Sequence, residues 1–418
     1  MATTTKTDIF VFADWMGIKE PTLIGVLTAQ FAKGRKSFSF GYDKQWLLSP
    51  HKFLLDPDIQ LFSGKQFPNG KENFGVFLDS MPDTWGRTLM KRRALQIAKE
   101  LDETPKILYD IDYLLGVYDE TRIGALRFKT DLNGDFLDNN QDYPTPPWTS
   151  VRELQYAVSQ LENEDEKHIK QWLEILIAPG SSLGGARPKA NILDEKNELW
   201  IAKFPSKNDT INKGAWEFLA YRLALDCGIE MSESKIEKIN HPHHTFFTKR
   251  FDRKGRQRIH FSSAMTMTGN NEEKLKEHTA SYLDIAEFLM NNGTDIDNNL
   301  KQLWRRIVFN IAISNTDDHL RNHGFILTEN GWILSPAYDL NPSVDKNGLS
   351  LNINDIENDL DIELAKSVGE YFRLNITDTN QIIDEVFGSV KNWRNIATEI
   401  GISRGEQELM AKAFKNFK

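Results

Sequence analysis

Only one cysteine, Cys227, occurs in this 418-residue chain. A lone thiol closes no intrachain disulfide and cannot assemble a zinc cluster. It falls within an apolar helical pattern, which reads as a small buried hydrophobe rather than a nucleophile. Long apolar runs are equally scarce. No stretch approaches the ~20 residues that a membrane span needs, and the run Ile307–Ile313 is short and interrupted by Asn310. The first residues, Met1 to Asp8, are polar and lack the apolar core of an export signal. A soluble, cytoplasmic protein with no membrane contact is the expectation. An excess of positive charge is also missing: the formal net charge is −9. A solitary nucleic-acid binder draws its affinity from Lys and Arg neutralising phosphates, so any approach to DNA is expected to be indirect, through a partner. No internal repeat or low-complexity tract is visible.

What is present fits an ordered globular protein larger than one domain. Apolar residues make up 40%, charged residues 27% and aromatic residues 11%, with ten Trp, a balance that supports sizeable cores. Residues 9–66 read as short strands (9–12, 23–27, 37–42) divided by Gly, Pro and charged turns. A helix is predicted from Pro82 to about Glu100, with Trp85, Leu89, Leu95 and Ile97 as its apolar positions and a solvated basic face opposite. Residues 131–148, rich in Asp, Asn, Gly and Pro, are the candidate linker. Helices near 150–162 and 165–178 follow, ending at Pro179-Gly180. Beyond them come a Gly-containing loop at 181–189, a strand pair at 190–193 and 199–204, a helix from Lys213 to Cys227 stopped by Gly228, and strands at 235–239 and 245–250. After about 276 the pattern is helical (278–292, 295–314, 359–373, 379–398, 403–417), broken by a hairpin that turns through Asn330-Gly331.

Two groups of residues carry chemistry. In the first, Gly184 and Gly185 allow backbone N–H groups to approach an anion, with Ala186, Arg187, Pro188 and Lys189 completing the loop and two of them adding positive charge. The spacing is not that of a Walker loop, and a Gly-Gly before a hairpin is by itself an ordinary turn. Lys203, on the second strand behind the loop, either neutralises phosphates from an inner strand, with Glu217 of the next helix as its holder, or faces solvent on an alternating strand. The second group is Asn315-Thr-Asp-Asp-His-Leu-Arg-Asn322, directly after an apolar helix, and Pro336-Ala-Tyr-Asp339 at the end of the hairpin. Phosphoryl transfer needs a carboxylate to orient a hydroxyl and oxygen ligands for Mg. Asp317 can supply the first, and Asn322 and Asp339 the second. His319 reads as loop packing ahead of a second acid or base.

Together with Ser182-Leu-Gly-Gly-Ala-Arg-Pro-Lys189, Lys203, Lys249-Arg-Phe-Asp-Arg253, Thr316-Asp-Asp-His-Leu-Arg-Asn322 and Pro336-Ala-Tyr-Asp339, the chain resembles the HipA family of bacterial toxin kinases. Three earlier motifs resemble that family's accessory domain: Gly41-Tyr-Asp-Lys-Gln-Trp-Leu47, Asp79-Ser-Met-Pro-Asp-Thr-Trp-Gly-Arg87 and Arg122-Ile-Gly-Ala-Leu-Arg-Phe128. The resemblance thus runs through nearly the whole chain in order. It implies an α+β, bilobal fold like that of protein and phosphoinositide kinases, with a small β-rich N-terminal subdomain and a mainly helical C-terminal lobe. The implied divisions are 1–145 (accessory), 146–253 (N-lobe with phosphate loop and hinge) and 254–418 (helical catalytic lobe).

The implied cofactors are ATP and Mg. Asp317 would be the catalytic base, and Asn322 and Asp339 the Mg ligands. Lys203 would meet the α- and β-phosphates, Gly184 to Lys189 would cover the nucleotide, and Lys249, Arg250 and Phe251 would form the adenine-contacting hinge. His319, Leu320, Arg321 and Tyr338, inside the motifs, join the nucleotide-binding set. Self-phosphorylation is implied at Ser182, with Ser181 the neighbouring alternative; the added charge would expel the loop from its anion site and switch the enzyme off. The implied partners are a protein substrate of the translation machinery, such as an aminoacyl-tRNA synthetase, and a HipB-like helix-turn-helix antitoxin through which DNA is reached. The expected outcome is growth arrest. Arg187-Pro188 replaces the Gln-Glu of the best-known form, and Asp318 replaces its Gly. A catalytically silent corepressor, or a kinase for a lipid or small-molecule acceptor, are the alternatives. The intact Lys203, Asp317, Asn322 and Asp339 speak against the first, and the lack of a basic membrane-surface helix against a lipid.

Overall fold

The structure is a computed structural model that describes residues 5–32, 35–82, 84–139, 145–163, 168–180, 185–277 and 279–414. Its contacts divide the chain into two compact units, 1–208 with 252–262, and 209–251 with 263–418. The division falls inside the 146–253 segment. The fold is α+β, with strands concentrated early in the chain and helices late.

The first unit opens with an antiparallel sheet of strands β1 (Thr5–Ala13), β2 (Thr22–Ala32), β3 (Arg35–Tyr42), β4 (Lys65–Gln66) and β5 (Leu126–Lys129), in the order β4-β3-β2-β1-β5. The two-residue period of a strand sends Ile9, Val11 and Ala13 inward, each fully buried. Phe77 meets Phe40, Phe74 and Phe128 at ring distances of 5.7, 5.9 and 6.1 Å, which makes an aromatic core under the sheet. Asp43 caps the short helix Lys44–Leu48 by accepting from the Gln45 N–H at 2.8 Å. That helix buries Trp46 edge-on against Trp15, 5.6 Å away.

The accessory motifs are anchors of this unit. Arg122, fully buried, donates to the carbonyls of Ser80, Val117 and Leu137 at 2.9, 3.0 and 2.9 Å. Asp119 accepts from Arg127 and, at 3.1 Å, from Arg258. Burial works against its charge, but the guanidiniums prevail and hold its carboxyl below the usual range. Asp252 accepts the Gly124 N–H at 2.8 Å, and Arg253 donates to the Gly124 carbonyl at 3.1 Å. These bonds explain why 252–262 joins the first unit.

Helix Thr84–Leu101 buries Trp85, Leu89, Met90 and Ala98. Leu95 and Ile97, expected on the apolar stripe, lie off it and are 49% and 45% exposed. The basic face is not wholly solvated: Arg92 donates to the Leu161 carbonyl at 2.8 Å, near the end of helix Val151–Glu162. The expected linker is also tied down at both ends. Leu137 and Asp138 donate to the carbonyls of Phe128 and Val117, each at 2.9 Å, and Leu193 donates to Pro146 at 2.9 Å. Residues 140–144 of that stretch lie outside the described residues. Helix Ile169–Gly180 carries Pro179-Gly180 in its last turn rather than stopping before it. The hairpin of β6 (Lys189–Leu193) and β7 (Leu199–Lys203) follows.

In the second unit, helix Lys213–Asp226 ends at Gly228, whose φ of +72° is the left-handed stop that glycine adopts without penalty. Strands β8 (Ser234–Glu237) and β9 (Thr245–Lys249) pair antiparallel. Helix Ile296–Ile313 is the axis of the unit, buried continuously from Leu303 to Ile313. Its Trp304 is fully enclosed and donates to the Ala365 carbonyl at 3.0 Å; truncating such a residue costs about 3–5 kcal/mol.

The late helices are more broken than their periodicity predicts. The helix expected over 379–398 is two, Ile376–Val390 and Trp393–Ile400. After the break Trp393 stacks on Phe414 at 4.2 Å and lies 6.2 Å from the Trp216 ring. Likewise 359–373 holds only Ile362–Ser367 and a 3-10 turn, 403–417 only Arg404–Met410 and a 3-10 turn, and the 278–292 helix begins at Tyr282. No helix among the described residues is long and apolar enough to cross a membrane.

Candidate active site

The loop that follows helix Ile296–Ile313 is held from several sides. Ser314 turns the chain with a left-handed φ of +51°. The Asn315 amide donates to Asn310 Oδ1 at 3.0 Å, and Ser350 donates to the Thr316 carbonyl at 2.8 Å. From this frame Asp317 projects outward, its side chain 80% exposed and only loosely approached by Lys346 at 3.7 Å. Asn322 turns back instead: its Nδ2 donates to the Asp317 carbonyl at 3.1 Å. With the amide nitrogen committed there, the amide oxygen is the end left to a ligand. A carboxylate free to meet a hydroxyl, beside an oriented amide oxygen, is the donor pair expected of a metal-assisted transfer.

Asp339 comes to the same neighbourhood along a second loop. Strands Gly324–Thr328 and Gly331–Leu334 form the expected hairpin. Downstream of it the Ser343 N–H donates to the Ser314 carbonyl at 3.1 Å, and the Asn341 N–H to Asn315 Oδ1 at 3.4 Å. Asp339 itself has a φ of +59° and is exposed. Asn341 donates to its carboxylate at 3.4 Å. Left-handed backbone in a residue other than glycine stores strain that clusters at functional sites. Tyr338 links two further members of the set, donating to the Arg321 carbonyl at 2.8 Å and facing the Phe251 ring at 5.7 Å. Phe251 thereby lies beside the Asp339 loop, with Lys249 and Arg250 immediately before it. Lys249 donates its N–H to the Glu233 carbonyl at 2.8 Å, and Arg250 is buried.

Of the remaining loop residues, Leu320 is fully buried, Arg321 pairs with Glu272 at 3.0 Å near the surface, and His319 caps a 3-10 turn with its carbonyl bound by Asn322. No group of three or more His, Cys, Asp or Glu side chains able to hold a metal occurs among the described residues. Mg does not ask for one, since it takes one or two protein oxygens and completes its shell with water and phosphate. Asn322 and Asp339 fit that pattern.

Sequence reasoning missed Asp318. It is turned inward, 1% exposed, with Oδ2 accepting from Tyr282 Oη (2.5 Å), Asn310 Nδ2 (2.9 Å) and His323 Nε2 (2.8 Å). Burial first, then the Asp318 charge, hold the Tyr282 hydroxyl well above its ordinary pKa, so it remains a donor. Arg306, wholly enclosed nearby, donates to the Ser335 carbonyl at 2.6 Å. Burial pushes it down to about 10, and it keeps its charge at neutral pH. The only signal in the sequence was Asn310, a polar break in an apolar helix.

The other predicted residues belong to the first unit. Gly185 has a φ of +80°, and a Cβ there would lie 2.7 Å from Lys189 Nζ. The positive φ is what favours glycine here, since the Lys189 ammonium ends a flexible side chain that can move aside. Trp85 fastens this loop twice: its N–H donates to the Gly185 carbonyl at 3.1 Å and its indole to the Lys189 carbonyl at 2.9 Å. Ala186 and Arg187 follow, and the Pro188 carbonyl accepts the Phe204 N–H at 2.9 Å. Lys189 and Lys203 are directly opposed across β6 and β7, so their side chains leave the same face of the hairpin. Lys203 lies on the half-buried side of β7, away from the buried Trp200 and Ala202. Glu217, buried on its helix, belongs to the second unit. Ser181, Ser182 and Gly184 lie outside the described residues.

Residues 181–394 match the HipA-like C-terminal domain family, and the chain belongs to that family. In overall fold it is similar to the Shewanella oneidensis HipA of a toxin–antitoxin complex with HipB and operator DNA. That match has a TM-score of 0.62 at 19% identity and covers 97% of this chain and 94% of the other. A Helicobacter pylori proinflammatory kinase, CtkA, is more distant, with a TM-score of 0.43 at 16% identity over 57% of this chain and 90% of that one. Among curated proteins, a Haemophilus influenzae protein described as "Putative kinase" is 26% identical over 179 residues, 38% of this chain. The match spans about half, 52%, of that relative's length.

Proposed function

We propose that the protein is an ATP- and Mg-dependent kinase that phosphorylates protein serine or threonine hydroxyls. The observation that carries this reading is the 317–322 loop. It presents Asp317 to solvent while pinning the Asn322 amide to the Asp317 carbonyl, and Asp339 stands on the loop bonded alongside. Asp317 would orient the acceptor hydroxyl and take its proton. Asn322 and Asp339 would hold Mg, which supplies charge neutralisation on the transferring phosphoryl group when bound. Lys249 to Phe251 and Tyr338 would border the base. The parts given to Lys203 and the 184–189 loop are supported by family membership.

By the same membership we propose a toxin role, with growth arrest on expression, neutralisation by a HipB-like antitoxin that brings the protein to DNA, and self-inactivation at Ser182. The formal charge of −9 favours a basic partner over direct DNA contact. The test is transfer of labelled γ-phosphate to protein, followed by site mapping in cells expressing wild type or Asp317→Asn. Serine or threonine phosphorylation that depends on Asp317 is expected. Nucleotide binding without any transfer would favour a silent corepressor instead.

A further inference from the structure

We infer that Asp318 is the positioning residue of the proposed transfer loop, a role that rests on the kinase reading above. One carboxylate oxygen gathers three elements distant in sequence: Tyr282 opens helix Tyr282–Asn292, Asn310 lies on helix Ile296–Ile313, and His323 precedes strand Gly324–Thr328. Asp318 is the next residue after Asp317, whose carbonyl in turn receives Asn322. Fixing Asp318 therefore fixes the backbone from which both proposed functional side chains leave.

The anchor has no slack. All three donors converge on Oδ2, and Oδ1 is buried without a hydrogen bond. His323 Nδ1 is likewise buried and unbonded, so the ring joins the cluster through Nε2 alone. The donors are thus matched to a carboxylate and not to an amide. Asp318→Asn would either turn an NH2 against three donors or bury it with no acceptor. The loop would then be released without loss of volume, and small misplacements of a reacting group cost about 10²-fold in rate.

The experiment compares wild type, Asp318→Asn and Tyr282→Phe, reading kcat for phosphate transfer, nucleotide Kd without Mg, and hydrogen exchange. Expected is a kcat lower by about 10²-fold in Asp318→Asn and about tenfold in Tyr282→Phe, with the Mg-free Kd within about twofold. Exchange should quicken over 315–323 and stay unchanged in helix Ile376–Val390. A merely structural role would move kcat, Kd and exchange in both segments together, and that result overturns the proposal. Wild-type kcat and loop exchange in both variants overturn it as well. If wild type transfers no phosphate but its loop still loosens in Asp318→Asn, the anchoring stands and the kinase reading falls.

Discussion

His260 is enclosed in the first unit, stacked on Trp15 at a ring distance of 5.2 Å, and burial pushes its pKa down to about 3 from an ordinary 6.5. Protonation is therefore easier in the unfolded chain than in the fold. Its contribution to stability is intact above about pH 6.5 and is progressively lost as acid draws the equilibrium toward unfolding, down to about pH 3. Each unit of difference corresponds to about 1.4 kcal/mol, so lowering pH from about 7.5 to about 4.5 removes about 3 kcal/mol through this one side chain. For a unit of this size that is a fall in Tm of about 10 °C. Replacing His260 with Phe keeps an aromatic ring against Trp15 and removes the titration. Thermal unfolding of both proteins across that range isolates the effect as a difference in slope, whatever the variant's starting stability. Parallel slopes for wild type and His260→Phe would refute the reasoning.

Two further outcomes follow from local geometry. Gly185→Ala puts a side chain on backbone held at a φ of +80° and displaces the Lys189 ammonium, which lies 2.7 Å from the position of the new Cβ. A nucleotide affinity weaker by about tenfold is expected, equivalent to about 1.4 kcal/mol, with little change in Tm; calorimetric titration reads it. Cys227 is buried, its sulfur near the Val386 carbonyl at 3.7 Å, and burial pushes its thiol up to about 12. The reactive thiolate is then about one part in 10⁵ at neutral pH, so a thiol reagent should label the native protein only as fast as it unfolds.

Much of the second unit was legible because its signals are local. An apolar helix that stops, a short acidic and amide-bearing loop, and an Asn-Gly hairpin lie close in sequence, and the bonds of Asn322 and Tyr338 join what their spacing suggested. What escaped was long-range. Trp85 reaches Lys189 across 104 residues, and nothing in either motif announces the pairing. Asp318 looks like a second exposed acid until Tyr282, Asn310 and His323 are placed around it. The single helix expected over 379–398 is two because the chain breaks before Trp393, which stacks on Phe414, a contact that local periodicity does not show. Leu95 and Ile97 misled for the opposite reason, being apolar residues on a face that the fold leaves open.

In the proposed kinase Asn322 and Asp339 hold the metal that carries the nucleotide. Titrating ATP into the protein with and without Mg tests this directly, in wild type, Asn322→Ala and Asp339→Ala. Wild-type affinity should rise at least about tenfold with Mg, as a carboxylate and an amide oxygen holding the metal would give, and each variant should lose that gain while keeping its Mg-free affinity. Binding that ignores Mg in wild type, or a gain that survives both substitutions, would contradict it.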